Sequence, residues 1–203
     1  MAVDFKNSRT RENLMRAFAG ECQARARYTL AAGEAKNKDN FVIEAIFRFT
    51  AEQEKEHAER FYKFLKECNG DNVQIDGSYP VNVIDDLISL LHSATHNEYE
   101  EHDTVYQSFG DIAKEEGFSQ IAQVFYMIAG VEKTHGDRFA YFEQLLKDGK
   151  LFVSDVKVRW MCLNCGYVLE STKAPAKCPV CEHDQGYFIR LELAPYEVIP
   201  CKD

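Results

Sequence analysis

Apolar residues recur at helical spacing through most of the chain, and four stretches predict helices. In the first, from about residue 10 to 36, Leu14, Phe18, Glu21, Cys22, Arg25 and Tyr28 or Thr29 share one face. Ser8 or Thr10 is placed to cap it, with Glu12 in the first turn, where an acidic side chain favours the helix dipole. A tight turn over Asn37–Asn40 leads to a second helix, capped by Asp39 or Asn40 and running to about Cys68. Its stripe is Phe47, Thr50, Glu54, His57, Phe61 and Phe64, and Asn69-Gly70 stops it. Residues 71–80, with Gly77 and Pro80, read as a crossover linker. The third helix is expected over about 82–116, with Leu87, Leu91, Ala94, Glu98, Glu101 and Val105 inside and Gly110 as a weak or kinked point. After Gly117, Ser119 is expected to cap a fourth helix whose inner face carries Ile121, Phe125, Ile128, Glu132, His135, Phe139 and Phe142. Beyond Asp148-Gly149 the texture changes to short β-type runs punctuated by Pro175, Pro179 and Gly186. The expected fold is therefore mainly α: a four-helix bundle over 1–149, then a small module over 150–203 whose tail from Leu193 lies on the surface.

Two of these stripes carry the same unusual residues. A shift of 78 positions moves Glu54 onto Glu132, His57 onto His135, Tyr28 onto Tyr106, Ile43 onto Ile121, Phe47 onto Phe125, Arg60 onto Arg138, Phe61 onto Phe139 and Phe64 onto Phe142. Such self-similarity marks an internal repeat. Each Glu-x-x-His is preceded by a lone glutamate: Glu21 lies 33 residues before Glu54, and Glu98 lies 34 before Glu132. Glu21 and Glu54 stand about equally far from the turn between their helices, ~25 Å at ~1.5 Å per residue, so they lie level. Glu98 and Glu132 are roughly level by the same count, and the histidines stand three residues on, on the same faces. Two hairpins of this kind build a dinuclear metal site at mid-bundle.

Burial requires that these carboxylates either protonate or hold cations among them. Each unpaired carboxylate in a bundle interior costs several kcal/mol, and five would exceed the ~5–15 kcal/mol by which a whole domain is stable. Oxygen-rich ligation with two imidazoles suits iron or manganese. Glu101, where the twin hairpin has Ala24, is one carboxylate beyond the usual four. Two Fe(II) are balanced by Glu21, Glu54, Glu98 and Glu132, whereas two Fe(III) carry excess charge that Glu101 offsets. One iron is accordingly expected to exchange neutral His57 for anionic Glu101 on oxidation.

Bulk properties narrow the partners. The chain has 203 residues, 45% hydrophobic and 28% charged, with a net charge of −9. That charge argues against nucleic acid or an anionic membrane as partner. The N-terminus shows no apolar signal segment, and no apolar run reaches the roughly 18 residues of a membrane span. Of seven cysteines, four form Cys162-x-x-Cys165 and Cys178-x-x-Cys181, while Cys22, Cys68 and Cys201 are scattered. This pattern favours metal thiolates in a reducing cytoplasm over disulfides. The paired spacing is a four-thiolate signal for zinc or iron, with Trp160, Tyr167 and Phe188 as an apolar shell. A module of this size needs such a staple.

The segments around Glu21, Glu54–His57, Glu98–Glu101, Glu132–His135 and the two cysteine pairs together resemble the rubrerythrins, over nearly the whole chain. The resemblance implies a ferritin-like di-iron bundle followed by a rubredoxin-like Fe(Cys)4 domain, and peroxidase activity toward hydrogen peroxide. It further implies that Glu54 and Glu132 bridge the irons, that Glu21 is terminal on one and Glu98 and His135 on the other, and that His57 and Glu101 alternate on the first. Tyr28 and Tyr106 fall where they can hydrogen-bond ligands or bound peroxide. An NAD(P)H-dependent reductase or a small rubredoxin is the implied electron donor, and a head-to-tail homodimer the implied assembly. The rival activity is a ferroxidase or iron-handling protein of ferritin type, which the fused electron-transfer module argues against. A second rival is a metal-stapled bundle with a zinc ribbon and no enzymatic role.

Overall fold

The computed structural model describes residues 3–194. Helix α1 spans Arg9–Asn37 and α2 spans Phe41–Phe64. The second hairpin comprises α3 (Leu87–Glu100), a π-helical turn over Glu101–Val105, α4 (Tyr106–Glu115) and α5 (Ser119–Lys147). The first three of these form one continuous rod, so the bundle has four helical arms. Then come β1 (Val153–Cys162), β2 (Val168–Lys173) and β3 (Phe188–Arg190), an antiparallel sheet in the order β2-β1-β3. The Leu193 end of the tail borders the described residues; the rest of it, with Cys201, lies outside them. No described helix is long and apolar enough to cross a membrane.

Local chemistry sets the helix ends. Ser8 caps α1, its Oγ accepting from Arg11 N at 3.0 Å, and Asn40 caps α2 through Ile43 N at 3.2 Å. A cap of this kind contributes about 1 kcal/mol. The Glu116 carboxylate also accepts from Arg9 N and Thr10 N, tying the start of α1 to the end of α4. Two boundary expectations are corrected. The third arm begins at Leu87 rather than near Asn82, because Asp86 is the residue that caps it, accepting from Ser89 N at 2.7 Å. Ser119 is the first residue inside α5, and the capping position is Phe118, which offers no side-chain acceptor. Helix α4 runs without a break through Gly110, which is buried under Tyr126, whose ring would stand 2.4 Å from an added Cβ. The irregularity falls instead at Glu101–Val105.

The buried stripe of α1 is Leu14, Ala17, Glu21, Ala24, Tyr28, Ala31 and Ala35. Cys22 and Arg25, expected on that face, are exposed. The alanines, short enough for close helix approach, took the interior positions that the longer side chains were expected to fill. The inner faces of α2 and α5 match expectation, with His57 and Phe64 only partly buried. Phe47 packs on Phe139 and Phe61 on Phe125, both with ring centroids 5.0 Å apart. Since the 78-residue shift carries Phe47 to Phe125 and Phe61 to Phe139, these are one contact made twice about a pseudo-twofold axis. They close the interior above and below the layer that holds the carboxylates.

Candidate metal centres

One layer of the bundle collects Glu21 from α1, Glu54 and His57 from α2, Glu98 from α3, and Glu132 and His135 from α5. Ligand atoms of Glu21, Glu54, His57 and Glu132 lie within 4.8 Å of one another, and so do those of Glu54, Glu98, Glu132 and His135. The two sets share Glu54 and Glu132. The His57 and His135 rings face each other, 5.6 Å apart and nearly parallel. All of these side chains but His57 are fully buried or nearly so.

Within the layer His57 Nδ1 is hydrogen-bonded to Glu54 Oε2 at 3.1 Å, but most of the remaining polar atoms are not paired with one another. His135 Nδ1 lies 3.0 Å from Glu54 and 2.8 Å from Glu132, and His57 Nδ1 lies 2.9 Å from Glu132. Nevertheless one oxygen each of Glu21 and Glu54, both of Glu132, and both nitrogens of His135 make no hydrogen bond. The atoms are close, but the N–H axes miss the oxygens. Each buried polar atom left so costs about 1–3 kcal/mol, more when charged. Cations at the two points of convergence would satisfy the carboxylate oxygens and His135 Nδ1, so the residues present fit a dinuclear centre.

The electrostatics agree. Burial, reinforced by Glu132 and Glu54, pushes the Glu21 carboxyl well above its ordinary range. Burial, with Glu54 adding, raises Glu98 to about 8. Burial disfavours the imidazolium of His57 and His135, but the carboxylates of Glu132 and Glu54 outweigh it and raise them to about 9 and about 12. Against its own burial, Glu54 is held at about 2 by His135 and His57. Without cations the cluster gathers protons to neutralise itself, as a metal-ligand set does.

Tyr28 and Tyr106 cross between the hairpins. The Tyr106 hydroxyl donates to Glu21 at 2.5 Å, and the Tyr28 hydroxyl donates to Glu98. Each tyrosine of one hairpin thus orients the lone glutamate of the other. The repeat paired the two tyrosines and the resemblance put them within reach of ligands, without indicating this exchange.

Glu101 stands apart. It belongs to neither four-residue set, and it is only partly buried, on the floor of a cavity beside Tyr106. Burial, with Glu98 adding, raises its carboxyl well above the ordinary range. It opens the π turn, and the length of the two hairpins explains why. Seven residues separate Glu21 from Tyr28, but eight separate Glu98 from Tyr106. The extra residue is taken up as a wider turn, the usual form of a one-residue insertion in a helix. The spacings of 33 and 34 carried this signal in the sequence.

In the C-terminal module, Cys162, Cys165, Cys178 and Cys181 converge, their sulfurs within 4.8 Å of one another. Cys162 to Cys181 is 3.8 Å and Cys165 to Cys178 is 3.6 Å. A tetrahedral ion with ~2.3 Å metal–sulfur bonds has sulfur–sulfur edges of ~3.8 Å. The two knuckles are twins: Gly166 N donates to Cys162 O, Glu182 N donates to Cys178 O, and Gly166 and Glu182 both take positive φ, 77° and 60°. Trp160 and Phe188 are fully buried against the site and Tyr167 packs beside them. Backbone donation from His183 lowers the Cys181 thiol to about 6, ready to ligate as thiolate.

The family model for rubrerythrin matches residues 12–143. The chain belongs to the rubrerythrin family. A second model, the rubredoxin-like domain of rubrerythrin, matches residues 160–189. The rubrerythrin of Clostridium perfringens is 47% identical over 184 residues, covering 90% of this chain and 94% of its own. That of Nitratidesulfovibrio vulgaris is 45% identical over 189 residues, covering 93% and 97%. The solved structure of fully reduced, all-ferrous nigerythrin superposes with a TM-score of 0.61 at 26% identity, covering 91% of this chain and 90% of that one. The chain therefore has the ferritin-like fold, a di-iron carboxylate site and a four-cysteine rubredoxin-like site, and it is an oxidoreductase.

Proposed function

We propose that this chain reduces hydrogen peroxide to water, H2O2 + 2 H+ + 2 e− giving two H2O, with electrons relayed through its four-cysteine module. The observation that carries the reading is the pair of ligand sets sharing Glu54 and Glu132, joined in one chain to a tetrathiolate. Glu54 and Glu132, common to both ligand sets, would be shared between two ions; Glu21 and His57 would hold one, Glu98 and His135 the other. Iron bound by these residues would supply the two electrons and the Lewis acidity that cleavage of a peroxide O–O bond requires. His57 and Glu101 would serve one position at different oxidation levels, the anionic carboxylate suiting the higher charge. Tyr106 and Tyr28 hold Glu21 and Glu98 in orientation. The Phe47–Phe139 and Phe61–Phe125 pairs exclude bulk water above and below.

The module boundary is placed at 149/150. The four-cysteine module rests on the far end of its own bundle: Tyr187 stacks on Phe41 at 3.7 Å, and a Cβ on Gly186 would stand 1.8 Å from Asp39 O. Phe41 is 13 residues from Glu54 along α2, ~20 Å at ~1.5 Å per residue. So long a separation favours electron delivery from a second subunit, in a head-to-tail homodimer. The upstream donor is an NAD(P)H-dependent reductase or a small rubredoxin, and free thiolates suit a reducing cytoplasm.

Anaerobic titration of the reduced, iron-loaded protein tests the reading. One equivalent of hydrogen peroxide per di-iron site should oxidise it fully and rapidly, with oxygen much slower. Rapid oxidation by oxygen with sluggish response to peroxide would favour the ferroxidase. A colourless, zinc-filled thiolate site would favour the non-enzymatic bundle.

A further inference from the structure

The segment between α2 and α3 is irregular in backbone yet pinned to the bundle. The Asp76 carboxylate accepts from Arg16 Nη2 at 2.6 Å and Nε at 3.1 Å. Six residues on, Asn82 Oδ1 accepts from Arg27 and from Asn97, both at 3.3 Å. Between these anchors the Tyr79 hydroxyl donates to the Arg16 carbonyl at 3.3 Å. The ring lies between two glycines. A Cβ on Gly77 would stand 2.9 Å from it, and one on Gly20 would stand 3.8 Å from it. Gly77 thus lets the ring fold back over α1, and Pro80 keeps the Tyr79 backbone extended.

Beneath the ring is a cavity of about 220 Å³, floored by Glu101 and Tyr106 and walled by Ala17 and Gly20 of α1 and Asn97 of α3. It has room for several water-sized molecules. Glu101 and Tyr106 are the residues that join this cavity to the carboxylate layer, through their position beside Glu98 and the hydrogen bond to Glu21.

We propose that this strap is the outer wall of the hydroperoxide port and that the Tyr79 ring sets the size of hydroperoxide admitted. The proposal rests on the peroxide reading above. Hydrogen peroxide passes beside the ring; hydroperoxides with a bulky alkyl or aryl group are held back by it. Once admitted, a bulky substrate would follow the same balance: ROOH takes two electrons from the reduced centre and two protons, the O–O bond breaks, and ROH and water leave. Selectivity would then lie in the strap rather than in the ligands.

The test is anaerobic stopped-flow oxidation of the reduced, iron-loaded full-length protein by hydrogen peroxide and by cumene hydroperoxide. Tyr79→Ala should raise the rate ratio of cumene hydroperoxide to hydrogen peroxide by about tenfold or more. Asp76→Ala, which frees one anchor, should move the ratio the same way but less. Val81→Ala, in the strap but 85% exposed and outside the cavity, should leave it unchanged. Crystals of Tyr79→Ala soaked in tert-butanol should show the alcohol above Glu101, and wild-type crystals should not. A ratio in Tyr79→Ala within twofold of wild type, or no alcohol above Glu101 in that variant, would overturn the proposal. If hydrogen peroxide oxidises neither protein, the peroxide reading is what fails, and the soak still decides whether Tyr79 gates the cavity.

Discussion

The two hairpins of the bundle share one plan and differ by one residue. In the first, α1 runs as an uninterrupted helix from Glu21 to Tyr28. In the second, the corresponding stretch from Glu98 to Tyr106 contains a π turn and one residue more. Everything downstream of the insertion keeps register: Tyr106 still reaches Glu21 as Tyr28 reaches Glu98, and the phenylalanine contacts remain paired. The insertion is therefore absorbed locally. The π turn is held from outside by His102, whose Nδ1 lies 2.8 Å from the Ala129 carbonyl on α5. The gain is a fifth carboxylate at Glu101, opposite a plain Ala24 in the first hairpin. The two ligand sets follow the shared plan; Glu101 departs from it, and is the residue proposed to answer a change in the charge of the ions.

The sharpest break of the pseudo-symmetry is at the shared ligands. Glu54→Gln or Glu132→Gln touches both sites at once, so both ions should be lost and peroxide oxidation should fall by more than roughly 10³-fold. Glu21→Gln touches one set and should leave about one ion per bundle. Metal analysis of folded protein checks this, and equal metal content across the three variants would remove Glu54 and Glu132 from the bridging role. Next comes the inserted residue. Deleting Thr104 should restore an α turn and make the second hairpin resemble the first. Glu101→Ala should mimic it: iron still binds, but oxidation slows by about 10–100-fold, the scale at which supporting groups affect metal sites. Unchanged rates and potentials in Glu101→Ala would refute the exchange with His57.

A pH series on metal-free protein sharpens the comparison of the two histidines. His57 and His135 are raised from 6.5 to about 9 and about 12 by the surrounding carboxylates, against burial. Their stabilising contribution is complete below about 6.5 and is lost as pH rises through the folded values. Glu98, raised by burial to about 8, adds a cost of ionisation over the same climb. Glu54, held at about 2, contributes stability above its ordinary range that is lost only in strong acid. Metal-free protein should therefore melt at progressively lower temperature from pH 5 to 9, and iron-loaded protein much less so. A flat or rising melting temperature in the metal-free series would contradict this.

Much of this was legible in the residues, and the failures have physical causes. A glutamate on an apolar stripe is readable because burial of charge is costly, and a repeated Glu-x-x-His is readable because helical periodicity is strict. Paired Cys-x-x-Cys is readable because the knuckle is local. Cys22 and Arg25 were misplaced because Ala17, Ala24 and Ala31 carry too little hydrophobicity to announce a buried face, although small size is what close helix packing needed. The π turn was written only as a mismatch between 33 and 34, which periodicity tolerates as drift. Tyr79 left no pattern at all, since its role comes from Gly77, Gly20 and Arg16 meeting across 63 positions of chain.

The smallest expected effect separates the two tyrosines. Tyr28 is packed between Phe47 and Phe139, with centroids 5.8 and 5.1 Å away, and reaches only Glu98. Tyr106 makes the matching contact to Phe61 at 5.4 Å but also floors the cavity beside Glu101. Removing either hydroxyl forfeits a hydrogen bond to a charged group, ~1.5–3 kcal/mol before the iron-bound carboxylate is counted. With iron in place the carboxylate remains ligated, so most of that loss should be absorbed as a small drop in iron affinity, similar in Tyr28→Phe and Tyr106→Phe. The peroxide rate should distinguish them: Tyr106→Phe slower by a few-fold, on the order of 1 kcal/mol, Tyr28→Phe nearly unaffected. Equal rates in the two variants would mean that peroxide reaches the ions without passing Tyr106, and that the two hairpins are alike on the side where they were argued to differ.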